Sequence, residues 1–157
     1  VKAEYEKVAS ISKDSLTNGV EYKYYEGSFN SVYEIQKVEM KKSGILKYIS
    51  LEPAAVSDMF GFVYEGYLYI PEDAIYSFFT KSDDGSVLLI DGKEVVNNDG
   101  SHKAARAVSY VVALGKGYHP IKLLYYDRYL DNIIELWWGS KSIPTQIVPE
   151  NNLFRRK

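Results

Sequence analysis

Residues 60–70, with the sequence FGFVYEGYLYI, alternate between two faces along their length. One face carries Phe62, Tyr64, Leu68 and Ile70, and the other carries Val63, Glu65, Tyr67 and Tyr69. Side chains two positions apart point to the same face of an extended chain, so this period predicts a long β-strand that ends at Pro71.

Shorter strand-like segments follow at even spacing, with Gly, Asp and Ser between them. They comprise residues 75–81, 87–90, 93–96, 106–114, 118–126 and 133–138. Asp91-Gly92 leaves two residues between two of these strands, which is the signal of a type I′ hairpin with a fixed register. Even spacing with such turn residues predicts an all-β fold, an antiparallel β-sandwich or flattened barrel.

The N-terminal residues precede this series. Residues 1–13 alternate charged with small or β-branched residues and predict a lead-in strand, which residues 14–19 break with a turn. We therefore divide the chain into residues 1–18, a lead-in strand or the tail of a preceding module, and residues 19–157, the sandwich domain.

Two segments of that domain depart from the strand pattern. Residues 28–42 are mixed enough to predict a long irregular connection. Residues 52–59 contain Pro53 near their start and suit one short helical turn, which is the only helix expected.

The composition supports sheets and excludes several functions. Hydrophobic residues make up 46% of the chain and aromatic residues 15%, with 15 Tyr against 2 Met, which favours half-buried strands. Lys and Arg total 19 and Asp and Glu total 21, so no positive excess exists for nucleic acid. There is no cysteine, and no apolar run is long enough for a membrane span.

Residue patterns of catalysis are missing from the sequence. The two histidines, His102 and His119, lie in different segments and lack the clustered spacing of a catalytic zinc site. No Gly-x-Ser-x-Gly elbow and no phosphate-binding glycine loop is present. Adjacent Asp83 and Asp84 do not provide the spaced, opposed carboxylates of a glycosidase, so we assign no catalytic residue.

The consecutive carboxylates Asp83 and Asp84 are the first candidate for chemistry. In an extended chain neighbouring side chains diverge, whereas a bent or cis peptide would let both grip one calcium ion. The alternative is a plain turn at Asp84-Gly85. The loop at residues 97–102 is rich in oxygen donors, but an EF-hand register would need an acid at Val95. It forms either a second wall of the same site or a solvated connection.

Exposed aromatic rings are the second candidate, because a flat ring can stack on a sugar while polar loops bond its hydroxyl groups. The candidates are Tyr24, Tyr25, Tyr126, Tyr129, Trp137 and Trp138. Alternation along a strand buries at least one of Trp137 and Trp138, so one of these rings is expected in the core.

Several ordered motifs together resemble one family. They are GYLYIPEDAIYSF, SDDGS, LLIDGKEVVNNDGSH, ALGKGYHPIKLLYY and ELWWGS, with YYEG near the start and IPTQIVPENNLF near the end. From near Gly19 onward the chain resembles the PA-fourteen (protective-antigen, fourteen-kilodalton) domain family. This resemblance implies a β-sandwich module found in glycosidases, adhesins and toxins, and it implies carbohydrate recognition.

The resemblance also implies site residues. Calcium-dependent adhesins of the family use a cis-linked Asp pair, which corresponds to Asp83 and Asp84, and a second loop whose oxygen donors correspond to Asp131 and Asn132. The carbohydrate-binding set implied is Asp83, Asp84, Asn98, Asp99, His102, Arg128 and Tyr129. Two departures are Ala74, where many relatives have Gly, and the loop at residues 127–132, which does not reproduce the adhesin motif.

Within the family the chain looks most like modules appended to glycoside hydrolases, including β-N-acetylhexosaminidase-like enzymes. We therefore expect a non-catalytic, calcium-assisted carbohydrate-binding module of a secreted or surface protein. Its place is extracellular, periplasmic or at the cell surface, and its partners are a glycan and other domains of the parent chain. The alternative is a structural spacer or protein-interaction domain without a ligand.

Overall fold

Two antiparallel sheets pack face to face in the computed structural model, which describes residues 11–106 and 110–157. The strands are β1 (Leu16–Asn18), β2 (Val20–Glu26), β3 (Met40–Leu46), β4 (Phe60–Ile70), β5 (Ala74–Asp83), β6 (Ser86–Ile90), β7 (Lys93–Asn98), β8 (Ala105–Arg106), β9 (Tyr110–Leu114), β10 (Gly117–Asp127), β11 (Ile133–Gly139), β12 (Gln146–Ile147) and β13 (Leu153–Arg156). The predicted all-β sandwich is confirmed, as two open sheets rather than a closed barrel.

The larger sheet is built on β4 and β10, which pair over eleven residues from Ile70 opposite Gly117 to Phe60 opposite Asp127. β6 and β7 continue the sheet beyond β10. On the other side β2 lies beside the first half of β4, and β13 lies beside its second half. β3 and β1 extend these two strands outward.

The smaller sheet has β5 at its centre. β11 pairs with β5 over seven residues, β8 and β9 pair with its other edge, and β12 pairs with β11. Asp91 and Gly92 both have positive φ, +54° and +78°, which is the geometry of the predicted type I′ turn between β6 and β7.

The main core lies between the sheets and is strongly aromatic. The inward residues of β4 are buried, as the alternation predicts: Phe60, Phe62, Tyr64, Leu68 and Ile70. Trp138 is also buried, and its ring stacks on Tyr76 with centroids 5.9 Å apart. Burying aromatic side chains supplies most of the hydrophobic stabilisation of such a core.

A second apolar cluster covers one end of the larger sheet's outer face. The connection at residues 28–38 folds back over it and buries Phe29, Val32 and Ile35 against Val63 and Leu124. The segment 28–38 therefore packs on the outer face of the larger sheet, close to the end of β10.

The helical expectation for residues 52–59 is wrong, because these residues form turns and bends. Helical turns occur instead at Lys13–Ser15, Val32–Lys37 and Glu150–Asn152, all of 3-10 type. At Val32–Lys37 Ser31 and Glu34 form a capping box, so the connection predicted as irregular contains a capped turn.

The predicted lead-in lies partly outside the described residues, which exclude residues 1–10. Its last three residues, Leu16–Asn18, form β1 and pair with β13 in the larger sheet. Among the described helices, none combines the length and the apolar character that crossing a membrane requires.

Candidate functional site

The candidate site lies at one end of the sandwich, where the chain passes from one sheet to the other. Asp83 ends β5 and pairs with Ile133 in the smaller sheet. Three residues later Ser86 begins β6 and pairs with Tyr125 in the larger sheet. Asp83 and Asp84 therefore occupy the junction between the two sheets, where both lose most of their contact with solvent.

The peptide bond between Asp83 and Asp84 is cis, as the resemblance implied. Asp84 is held on both sides by the main chain: its Oδ1 accepts the N–H of His102 at 3.0 Å and its Oδ2 accepts the N–H of Arg128 at 2.7 Å. These charge-assisted bonds tie two loops to one carboxylate. Asp84 is thus a structural centre of the site as well as a candidate ligand.

Asp127 is the residue that the sequence analysis missed. It follows Leu123 and Tyr125 on the inward face of β10, so its carboxylate points between the sheets and is 0% exposed. Neither of its two oxygens has a hydrogen-bond partner among residues 11–106 and 110–157. One ligand oxygen from each of Asp83, Asp84 and Asp127 can be chosen so that all three lie within 4.8 Å of one another.

The electrostatics of this trio disfavour negative charge in the cation-free protein. Burial, followed by repulsion from Asp84 and other nearby carboxylates, raises the pKa of Asp127 to about 7. Burial and the neighbouring Asp84 also raise the pKa of Asp83, partly opposed by a main-chain hydrogen bond from Ala104. No lysine or arginine side chain within the described ranges pairs with any of the three.

This donor set fits a hard cation such as calcium. Calcium takes six to eight oxygen ligands, and carboxylates are its usual protein donors. Two buried oxygens without partners are rare in native proteins, because each such atom costs free energy unless something binds it. Asp83, Asp84 and Asp127 would hold the ion, and further oxygens would come from the main chain, water or a ligand.

Gly85 lets two walls of the site approach closely. A Cβ at this position would lie 2.6 Å from a ring carbon of Tyr126 and 2.8 Å from the main-chain nitrogen of Gly100. The main chains are also joined here, since Asp84 N–H donates to Tyr126 O and Tyr126 N–H donates to Gly85 O, both at 3.0 Å.

The loop at residues 97–102 forms a second wall beside the carboxylates, one of the two possibilities left open by the sequence. Asn98 donates through its amide to Ser82 Oγ and to Ala105 O. The ring nitrogens of His102 lie 2.8 Å from Lys103 O and 2.9 Å from Asn98 O. Both side chains therefore brace the wall.

Asp99 joins this wall to the segment 28–38. Its carboxylate accepts the Ser31 hydroxyl at 2.6 Å and the Val32 N–H at 2.9 Å. Asp99 therefore positions the capped turn over the second apolar cluster, and its role in binding a glycan stays a prediction.

Arg128 and Tyr129 begin the loop that follows β10. The Arg128 guanidinium donates to Asn30 Oδ1 at 3.0 Å and lies over the Tyr129 ring, while its Nε is buried without a partner. Tyr129 is 56% exposed. Because the Arg128 N–H binds Asp84, this pair places a cation and a ring beside the carboxylate cluster.

Asp131 and Asn132, the predicted second pair of calcium ligands, are exposed in the same loop. Asn132 donates through its amide to Ser57 O. Asp131 lies near enough to contribute to the raised pKa values of Asp83 and Asp127, but it is outside the trio. Their role as ligands stays a prediction.

Most of the aromatic candidates turn out to be core residues. Tyr24, Tyr25, Tyr126 and Trp138 are buried. Trp137 is half-buried and stacks on Phe79. Tyr129 is the exposed candidate, and it lies at the site.

The sequence profile of the PA14 domain matches residues 16–152, and the protective-antigen motifs are thereby confirmed. The chain belongs to the PA14 domain family. A β-hexosaminidase of Porphyromonas gingivalis is 38% identical over 60 residues, which cover 38% of this chain and 7% of that protein.

Solved PA14-like structures share the fold. An anti-sigma factor domain-containing protein has a TM-score of 0.75 and 22% identity, over 89% of this chain and 48% of that one. The epithelial adhesin 9 A domain of Candida glabrata, solved in complex with Galb1-4GlcNAc, has a TM-score of 0.75 and 13% identity, over 94% of each chain. The chain thus spans about half of the first of these structures and a small part of the hexosaminidase.

Proposed function

We propose that this PA14 domain is a non-catalytic carbohydrate-binding module whose site is organised by a calcium ion at Asp83, Asp84 and Asp127. The observation that carries the proposal is the buried carboxylate trio, in which both oxygens of Asp127 lack a partner. The cluster is buried at one end of the sandwich, and the loop at residues 97–102 and the exposed Tyr129 lie beside it.

The calcium part of the proposal rests on charge. Three buried carboxylates repel one another, and a divalent cation removes that repulsion while it uses the free oxygens. A bound calcium ion supplies positive charge and additional coordination positions that sugar hydroxyl groups can occupy. The protein's own contribution is to hold the Asp84 carboxylate, next to Asp83, through the N–H groups of His102 and Arg128.

The glycan part rests on the groups around the trio. Tyr129 offers an exposed ring, and Arg128, Asn98 and His102 border the same end. Sugar-binding sites usually combine hydrogen-bond donors with a flat aromatic ring. The adhesin domain of the same fold, solved with Galb1-4GlcNAc, is in line with this class of ligand.

The partial similarity to a β-hexosaminidase supports the hypothesis that the parent protein is a glycoside hydrolase acting outside the cytoplasm. In that setting the module would keep the enzyme near its glycan and leave bond cleavage to another domain. Glycoside hydrolysis requires two opposed carboxylates with room for a sugar between them, and the described residues of this site do not provide such a pair.

A glycan array tests the proposal when it is run in calcium and again in a chelator, with the wild type and the Asp127→Asn variant. We expect binding to a group of related glycans by the wild type in calcium, and loss of that binding in chelator or in the variant. A blank array for a folded wild-type protein in calcium would refute the carbohydrate function. Equal binding with and without chelator would refute the role of calcium.

The purified domain should not cleave aryl glycosides. Turnover by the purified domain, abolished by changing Asp83 or Asp127, would show that the module is an enzyme and would overturn the proposal.

A further inference from the structure

On the side of β11 that faces away from β5, the edge of the smaller sheet is only partly paired. β11 pairs with β5 along all seven residues, but on its other side β12 covers only Trp137 and Trp138. One further bond follows, from Val148 N–H to Leu136 O at 2.9 Å. The described strands place nothing beside Ile133 to Glu135 on that side.

The sequence explains why this pairing stops. β12 is followed by Pro149, whose fixed φ suits the turn that starts there and directs the chain away from β11. After Pro149 the chain turns through Glu150–Asn152 and leaves for the larger sheet. The strand that would cover the first half of β11 therefore does not form from this part of the chain.

The orientation of the free main-chain groups follows from the pairing pattern. Within a strand, residues two apart present their N–H and C=O groups to the same side. Leu136 O faces β12, so the N–H and C=O of Ile134 face the same way, into the uncovered region. Unpaired groups of this kind at a sheet edge are a template for another strand.

A groove lies against this edge. Its volume is about 550 Å³, and its walls include Ile134 and Leu136 on one side and Tyr48, Ile49 and Leu51 on the other. The groove is mainly apolar, but Glu135 and Glu150 line it, and its described lining contains no lysine, arginine or histidine. The lining thus combines an open ladder, an apolar wall and two carboxylates.

We propose that this groove binds an extended peptide segment, which adds a strand to β11 and carries alternating apolar and cationic side chains. In such β-augmentation the main chain of the segment bonds the free edge and alternate side chains enter the groove. Apolar side chains on one face would pack against Ile134 and Leu136. Lysine or arginine side chains on the other face would lie next to Glu135 and Glu150. The groove adjoins the carbohydrate site at Asn132 and Ile133, but the edge at Ile134 and the carboxylates of Glu135 and Glu150 are not part of that site, so the inference does not depend on it.

The test begins with the free protein. Amide hydrogen exchange, read residue by residue by NMR, should show Ile134 exchanging at least about tenfold faster than Ile133 and Glu135, whose amides face β5. Equal protection of Ile134 in the free protein would mean that the edge is already covered, and it would overturn the proposal.

The second step uses a labelled eight-residue peptide of alternating valine and lysine with blocked ends. We expect saturable binding by fluorescence anisotropy and slower exchange at Ile134. Methylation of alternate backbone nitrogens in the same peptide should weaken binding at least about tenfold, because it removes the ladder donors. No binding of the unmodified peptide, or equal binding of the methylated one, would refute strand addition.

Charge is tested with Glu135→Gln and Glu150→Gln. The first keeps an acceptor for the Trp137 indole, which now donates to Glu135 Oε1. Each change should weaken binding of the lysine-containing peptide by about two- to fivefold, while Glu65→Gln on the other sheet should not change its affinity. Binding that is indifferent to these changes, or a second copy of the protein protecting Ile134 in sedimentation and exchange experiments, would contradict a cationic peptide as the occupant.

Discussion

Replacing Asp127 by asparagine should change stability in opposite directions with and without calcium. In chelator the buried carboxylate has no partner and a pKa of about 7, against about 3.9 in an unfolded chain. The difference corresponds to at most about 4 kcal/mol at a pH above 7, where the folded protein must carry the charge. Asp127→Asn removes that charge with little change of shape, so we expect it to stabilise the chelated protein by about 1–4 kcal/mol, a rise of several degrees in Tm.

In calcium the order should reverse. Wild-type protein gains about 4.1 kcal/mol when calcium is present at a thousandfold excess over its Kd, whereas the variant, without a third carboxylate, should gain little. Thermal unfolding followed by circular dichroism at about pH 8, in chelator and in calcium, measures both effects. Asp14→Asn, an exposed carboxylate in the turn before β1, serves as the control and should respond as the wild type does. A variant that is less stable in chelator, or that gains as much from calcium as the wild type, would refute the reasoning.

Three further perturbations test other parts of the site. Asp84→Ala should abolish calcium binding in calorimetry, and unchanged binding would exclude Asp84 as a ligand. The same change should lower the free energy of unfolding by about 2–4 kcal/mol, because two main-chain N–H groups lose their charged acceptor. Gly85→Ala should lower the free energy of unfolding in urea by about 1–3 kcal/mol, because the new Cβ would meet Tyr126 and the main chain at Gly100. An unchanged free energy of unfolding would show that the two walls do not meet as described. Tyr129→Ala should leave stability within about 0.5 kcal/mol yet weaken glycan binding on the array, and full retention of binding would remove the ring from the site. A fourth test varies the pH: in chelator the free energy of unfolding of the wild type should fall as the pH rises from about 5 to about 8. The folded-state pKa of Asp127 lies above the unfolded value, so over this range the folded protein holds a proton that the unfolded chain has lost. A free energy of unfolding that rises over this range would contradict the raised pKa.

The fold was largely predictable because its signals are local. The predicted inward residues Phe62, Tyr64, Leu68 and Ile70 of β4 are buried, and Asp91-Gly92 forms the hairpin turn that its spacing predicts. The helical turn at Val32–Lys37 was predictable too, since Ser31 and Glu34 have capping-box spacing, but the mixed composition of the segment obscured it. At residues 52–59 a proline near the start was an insufficient signal, because the segment lacks a helical run of hydrogen bonds.

The site was only partly predictable because its members come from distant parts of the chain. Asp83 and Asp84 are adjacent in sequence, and the family motif points to them. Asp127 comes close only through the pairing of β10 with β4 and β6, although its inward position two residues after Tyr125 was a usable signal. The bond between Asp99 and Ser31 spans 68 residues, and no local pattern predicts such a contact.

Calcium binding at the three carboxylates can be seen in a crystal structure of the protein grown with calcium. We expect one strong density peak at about 2.3–2.6 Å from oxygens of Asp83, Asp84 and Asp127, absent from crystals of Asp127→Asn grown in the same solution. Well-ordered carboxylates in these positions with only water between them, at calcium concentrations in the millimolar range, would contradict it.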